Sequence, residues 1–294
     1  MCLIKFLPDK AFNLSIILFM IFFFVSCKQN EPETSSAYLS EVFDYVYAPG
    51  QHSKLANESD KNYIVGDPAE SEGWLYLGGF GGYVVAGFDH DVTNGAGEDF
   101  EIFPLSGASP EPAVVYVMPD YNKDGYPNET WYELEGNQVD NSMRNYSVTY
   151  FKATTDSSNI KWKDSEGNSG ELISGFGNSY SSKWWWPYSI NDSITFTGTR
   201  LPDSYINNST TDVPSWIVPE NLFVWGYAEN NSGTDYDSDA KANKLDISNA
   251  IDENGKAVNL SSIRFIKIQT GVFQQAGQLN EVSSEITGAK DLRL

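Results

Sequence analysis

The stretch AVVYVMPDYNKDGYPNETWYEL, residues 113–134, sets a run of β-prone residues against a loop of Pro, Asp, Asn and Gly, then returns to an aromatic run after Thr130. Asp120, Asn122 and Asp124 occupy alternate positions and Gly125 follows them. That is the first half of an EF-hand loop, in which alternate side chains converge on one ion and glycine permits the sharp turn. The second half is missing, because the twelfth position is Trp131 instead of glutamate. The flanks are strand-like, so the stretch reads as strand, loop, strand.

The same punctuation recurs along the chain. Residues 83–88, 100–103, 147–151, 193–197, 222–225 and 263–269 are short runs rich in Val, Ile, Tyr, Phe and Thr, separated by Gly, Asn, Asp and Ser clusters. This is the pattern of strands joined by turns. Helical turns are expected only at residues 40–47 and near Asn249 and Gln274. A parallel α/β fold needs amphipathic helices of about ten residues or more between its strands, and the sequence between these runs does not supply them. The expectation is an all-β fold, an antiparallel β-sandwich of jelly-roll type with long loops, formed as a single domain by residues 38–294.

The N-terminus bears on the compartment. Lys5 and Lys10 precede an apolar run at residues 14–25, which has signal-peptide length and is short for a bilayer span. Its end, Ser26-Cys27, resembles a bacterial lipobox, with Phe24 where leucine is usual. Cleavage before the cysteine makes residues 1–26 a lipoprotein signal peptide and Cys27 the lipidated N-terminus. An ordinary secretory signal with an incidental cysteine is the alternative. Residues 27–37 then form a polar, Pro-containing tether. The other cysteine, Cys2, leaves with the signal, so neither disulfide nor thiol chemistry is expected.

A formal net charge of −21 argues against nucleic acid, whose binding depends on Lys and Arg neutralising phosphates. It argues equally against a bare electrostatic grip on anionic lipid, which leaves the lipid anchor as the membrane attachment. Divalent cations and neutral ligands suit it better. Outside the cell a weak oxygen-ligand site fills with calcium. The expected set is Asp120, Asn122 and Asp124 with the Tyr126 carbonyl, Asn128 and Glu129, and Glu133 nearby, in a structural role. A plain Asx and glycine turn with solvated acids is the alternative.

Other chemistry is sparse. Asp235, Asp237 and Asp239 repeat the alternation without a following glycine, and Glu98-Asp99 either lends a carboxylate to the ion or ends a strand. The two histidines, His52 and His90, stand far apart and read as satisfied or exposed rather than catalytic. No nucleophile elbow, zinc-protease helix or phosphate loop is present. Glu111, Glu133, Glu281 and Glu285 leave a glycosidase-like carboxylate pair open. Trp184, Trp185 and Trp186 stand in succession before Pro187 and Tyr188. Strand alternation sends Trp184 and Trp186 to one face and Trp185 to the other. This predicts Trp185 as the buried member and Trp184, Trp186 and Tyr188 as a stacking platform for a sugar-like or apolar ligand. The competing reading covers all three tryptophans with loops.

Several stretches together resemble a family of Bacteroidetes cell-surface lipoproteins: residues 46–51, 78–90, 97–103 and 111–117, the loop at 120–125 with 131–134, then 245–248, 252–258, 265–270 and 277–291. The resemblance spans nearly the whole mature domain. It departs at residues 104–107, Pro-Leu-Ser-Gly, where family members often carry Asn-Ala-Phe. It implies a secreted, β-rich, calcium-binding module at the outer membrane, exposed on the cell surface and associated with nutrient uptake, with no established reaction. The leading expectation is a non-catalytic, calcium-dependent module that captures an extracellular ligand, such as a glycan, for an uptake machine. The alternatives are an accessory lipoprotein that contacts an outer-membrane transporter, and a glycoside hydrolase-like enzyme built on an unrecognised carboxylate pair.

Overall fold

The computed structural model describes residues 35–50, 53, 56–105, 110–154, 159–173, 186, 191–277 and 280–294. The expected signal peptide, Cys27 and most of the tether lie outside these residues. In chain order the strands are Glu41–Val46 (β1), Leu75–Tyr76 (β2), Tyr83–Thr93 (β3), Phe100–Pro104 (β4), Ala113–Met118 (β5) and Tyr132–Leu134 (β6). Met143–Phe151 (β7), Ile160–Asp164 (β8), Ser169–Leu172 (β9) and Ser193–Arg200 (β10) follow. The last are Ile206–Asn207 (β11), Trp216–Ile217 (β12), Tyr236–Asp237 (β13), Ala242–Leu245 (β14), Ala250–Ile251 (β15), Ser262–Thr270 (β16) and Glu285–Asp291 (β17).

These strands form a six-stranded sheet in the order β1-β3-β16-β5-β6-β15 and a five-stranded sheet in the order β13-β14-β4-β17-β2. A four-stranded sheet, β10-β7-β8-β9, and a two-stranded ribbon, β11-β12, complete the set. Every strand pairing is antiparallel. The all-β class and the sandwich expected from the sequence are therefore present. The strand orders do not establish jelly-roll connectivity.

Period-two alternation places the main core. Ile266 and Ile268 of β16, Val84 and Ala86 of β3, and Val115 and Val117 of β5 meet Phe100 and Ile102 of β4 and Ile286 and Ala289 of β17 in one buried cluster. Phe265, Lys267 and Gln269 point to the other face of β16. The four-stranded sheet has a core of its own, built on Tyr146, Val148, Tyr150, Ile160, Leu172 and Phe196, with Phe80 and Trp186 inserted from elsewhere in the chain. On its opposite face, Ser147 bonds Thr197 at 3.0 Å and Thr149 bonds Thr195 at 2.8 Å.

Residues 40–47, expected to turn helically, instead supply β1. Pairing with the long β3 satisfies the backbone of this segment, with a bulge between Val42 and Asp44, and buries Tyr45. Near Asn249 a 3-10 turn, Ile247–Asn249, does form, capped by Asp246 accepting from Ser248 N at 2.7 Å. Gln274 lies in an irregular segment. A further 3-10 helix, Glu58–Ile64, opens on a capping box made by Asn57 and Asp60.

The glycine-rich loop Gly78-Gly-Phe-Gly-Gly82, between β2 and β3, joins the two cores. Gly81 N donates to Thr270 O and Thr270 N to Gly82 O, each at 3.0 Å. Gln269 Nε2 donates to Gly81 O at 2.7 Å and reaches Thr197 O of β10 at 3.3 Å. Gly81 has φ +90, and a Cβ there would stand 2.2 Å from the Phe196 Cβ. Only glycine meets both demands. Gly167 has a similar φ of +85 with nothing within 4 Å. Gly167→Ala is therefore expected to cost only the left-handed strain, about 1–2 kcal/mol, while Gly81→Ala adds the clash and costs clearly more in urea unfolding. Equal losses would show that the close approach at Phe196 is unimportant.

Candidate functional site

The loop between β5 and β6 brings the expected oxygen groups together. Asp120, 5% exposed, accepts from Asp124 N at 3.2 Å and Gly125 N at 3.1 Å, with Arg264 Nη1 at 3.7 Å. Asp124 accepts from Asn128 Nδ2 at 2.7 Å, Tyr126 N at 2.8 Å and Asn122 Nδ2 at 3.0 Å. The Asn128 bond, then the Tyr126 bond, hold its carboxyl below the usual carboxylate range. Glu129 Oε1 accepts from Asn122 N at 3.0 Å, while its Oε2 is buried without a hydrogen-bond partner. The Tyr126 ring meets Phe43 edge-on at 6.4 Å. Glu133 lies elsewhere, accepting from Thr199 Oγ1, with Arg144 Nε at 3.8 Å.

This donor set suits a hard cation, being oxygen-only and containing the orphaned Glu129 Oε2. Asn122 and Asn128 turn their Nδ2 donors toward Asp124, so ligation by their Oδ1 atoms requires both amides to rotate. Among the described residues, no three Asp, Glu, His or Cys side chains are arranged to hold a metal ion.

Asp235, Asp237 and Asp99 are committed elsewhere. Asp235 accepts from Gly226 N at 2.8 Å, and Asp237 pairs with Lys244 at 2.6 Å. The Lys244 bond leads the causes that lower the Asp237 carboxyl to about 2. Asp99 is buried beneath Arg293, 2.7 Å away, and receives Gly95 N and Ile247 N. His90 sits between Asp89 and Asp291, each at 2.8 Å. Burial alone would lower its pKa, but these two bonds outweigh it and raise the ring above its ordinary value. His52 lies outside the described residues, as do Trp184, Trp185 and Tyr188.

Trp186 departs from the expected platform. It is 9% exposed and closes the second core, and its Nε1 donates to Asn191 O at 3.0 Å. Its ring is spent on packing, because the core of a four-stranded sheet needs a cover and this side chain helps to supply it.

An aromatic cleft arises instead from residues that no local motif marks, with Phe80 and Tyr150 buried at its base and Trp162 and Phe273 half-buried. Phe80, Tyr150, Trp162 and Phe273 line a cleft of about 230 Å³, with Glu171 and Glu281 among its polar groups. Phe273 is the hub. Trp162 meets it edge-on at 4.9 Å and Tyr150 at 6.2 Å, and Phe80 is tilted against it at 5.8 Å. Glutamine amides hold the segment that carries Phe273. Gln274 accepts from Tyr205 N at 3.0 Å and donates to Tyr205 O at 2.8 Å. Gln275 does the same to Ile173 at 3.0 and 2.8 Å.

Glu281 leads from the cleft to a buried carboxyl cluster. It receives the Tyr76 hydroxyl. Glu111 accepts from Ser283 N at 2.8 Å, Glu285 from Ser283 Oγ at 3.0 Å, and Glu229 from Glu285 N at 2.6 Å. The sequence pointed to Glu111, Glu281 and Glu285, which the fold gathers, and to Glu133, which it does not. Glu229 was missed, because nothing around Ala228-Glu229-Asn230 signals burial of the acid. Burial first, and then the Glu285 charge, push Glu111 and Glu229 well above the usual range. Burial, opposed by Ser283, still pushes Glu285 up to about 7.

A scan against protein-family models finds no match for the chain, and a search of curated proteins finds none either.

The carboxyl cluster sets a pH dependence. A folded pKa above the unfolded value of about 4.3 gives stability that is full below that value and is lost as pH rises through about 7. The Glu285 contribution is on the order of 3 kcal/mol. Glu285→Gln is expected to flatten the fall in melting temperature between about pH 4.5 and 7. Parallel wild-type and variant profiles would show that Glu285 titrates normally.

Proposed function

We propose that the protein is a non-catalytic binding module of the cell surface, anchored to the outer membrane through lipid on Cys27 and presenting the aromatic cleft to an extracellular ligand for uptake. The observation that carries this reading is the cleft itself. Its four rings come from the glycine loop, β7, β8 and the segment after β16, and its volume of about 230 Å³ lies below the roughly 300–1,000 Å³ of pockets that enclose drug-sized ligands. It therefore holds one ring or head group of a longer molecule such as a glycan. The resemblance to Bacteroidetes surface lipoproteins and the lipobox-like Ser26-Cys27 support the anchored, extracellular setting.

In this reading calcium fills the Asp120–Glu129 loop and acts structurally, tying down the turn between β5 and β6. Asp120, Asn122, Asp124, Asn128 and Glu129 hold it with the Tyr126 carbonyl. A cation that binds only the folded state stabilises by mass action. Asp124→Ala should therefore abolish the calcium-dependent part of the melting shift and change the melting point in chelator much less. Equal destabilisation in both media would assign the loop a turn role alone.

The binding role is tested by screening the protein against a glycan array and repeating the hits with Trp162→Ala. Removing the ring is expected to weaken binding at least tenfold, about 1.4 kcal/mol, since ring stacking is the main contact the cleft offers. Hits that keep full affinity in this variant would move the ligand elsewhere.

A further inference from the structure

We propose that the protein carries a second binding site, a cleft of about 220 Å³ where β10 and the start of β7 meet the outer face of the six-stranded sheet, and that this site takes the carboxylate of a sugar acid. None of its lining residues belongs to the aromatic cleft. It therefore stands apart from the ligand reading of that cleft.

Strand register builds the floor. Lys267 of β16 stands opposite Tyr116 of β5, and Tyr116 opposite Glu133 of β6, so the three side chains share the face turned away from the main core. The Tyr116 hydroxyl receives Thr199 N at 3.1 Å, which ties β10 to this face. Between Gly198 and Arg200 the register of β7 and β10 slips: Arg144 and Asn145 stand opposite Thr199 alone, and Asn145 has φ +55. A bulge of this kind re-aims a side chain, and here Arg144 joins the cleft lining.

Two cationic groups at this floor lack an acceptor. Lys267 Nζ lies 4.6 Å from the Tyr83 centroid and 5.1 Å from that of Tyr116, with no ion pair or hydrogen bond among the described residues. The rings favour its charge but leave its N–H donors without an oxygen. Asp44, which acts on it through charge, accepts the Tyr83 hydroxyl at 2.7 Å. Burial pulls Lys267 down to about 8, which leaves it charged at neutral pH. Arg144 Nη2 is buried without a hydrogen-bond partner, and its Nε stands 3.8 Å from Glu133 Oε2. A Cβ on Gly255 would come within 2.2 Å of Arg144 Nη1, so the guanidinium lies close against that turn. A buried donor without an acceptor is destabilising, and a carboxylate supplies the acceptor together with the opposite charge.

The acids of the cleft do not cancel these donors. Glu133 accepts from Thr199 Oγ1, and burial leads the causes that raise its pKa. Asp252 accepts from Asn254 N and Lys256 N of its own turn, each at 2.9 Å, and Glu253 is exposed. The chain's net charge of −21 opposes an anion at long range, but salt screens that field beyond about 8 Å. Lys267 and Arg144 act at contact. Trp131, half-buried in the same lining, adds a ring face on which a sugar can stack. That contact favours a sugar acid over a small inorganic anion.

The test is calorimetric titration, in about 0.15 M salt, with trigalacturonate and with its fully methyl-esterified form, which differ chiefly in charge. The acid is expected to bind at least about tenfold tighter, the size of one charge-assisted hydrogen bond. Lys267→Met and Arg144→Gln should each shrink that preference, with melting curves confirming that the variants fold. Lys267→Arg keeps the charge and should preserve it. Trp131→Ala should weaken both forms, and Trp162→Ala neither. Equal affinity for acid and ester, no binding of the acid, or a preference that survives Lys267→Met overturns the proposal. Acid binding that is lost on Trp162→Ala and kept on Trp131→Ala also overturns it, while leaving the aromatic cleft as a binding site.

Discussion

The close approach of the Gly78–Gly82 loop to β16 and β10 is the constraint on which the other features depend. Thr270 exchanges backbone hydrogen bonds with Gly81 and Gly82, and Gln269 spends its Nε2 on Gly81 and Thr197. These contacts fix the small sheet against the edge of the sandwich. They also carry Phe80 out of the loop and into the second core, where it forms one wall of the cleft. A side chain at Gly81 would push Phe196, and with it β10, away from the loop. Sheet packing and the aromatic cleft thus share one backbone turn.

Much of the sandwich was legible because its strands obey local rules. Alternating apolar residues in β3, β5 and β16 and the Asx and glycine loop before β6 announce themselves within a few positions. The 41–46 segment misled because a short run of mixed polarity takes its conformation from β3, its partner, rather than from its own residues. The cleft was not legible for a related reason. Trp162, Phe273, Tyr150 and Phe80 come from four separate parts of the chain, and their meeting depends on tertiary placement. The tryptophan run drew attention by composition, yet Trp186 is a packing residue. Likewise Glu229 becomes chemically unusual through burial, and then through Glu285 and Glu111, distant in sequence and adjacent in space.

Charge is organised on two scales. The chain as a whole is strongly acidic, which favours solubility and repels anionic partners. Locally, several acids are paired one at a time: Asp99 with Arg293, Asp237 with Lys244, Asp291 with His90. The carboxyl cluster behind the cleft is handled differently, by burial that raises the pKa of Glu111, Glu229 and Glu285. Its strength therefore follows the pH of the medium more directly than the salt, since buried groups are screened weakly.

The paired amides of Gln274 and Gln275 give the cleft a property of another kind. They imitate strand pairing with side chains, so the wall bearing Phe273 is attached to Tyr205 and Ile173 without belonging to a hydrogen-bonded ladder. A wall inside a ladder could change only by shifting the register of a whole strand, which would turn its core residues outward. Here single substitutions at the attachment points can reshape the opening while β16 and β17 stay in place.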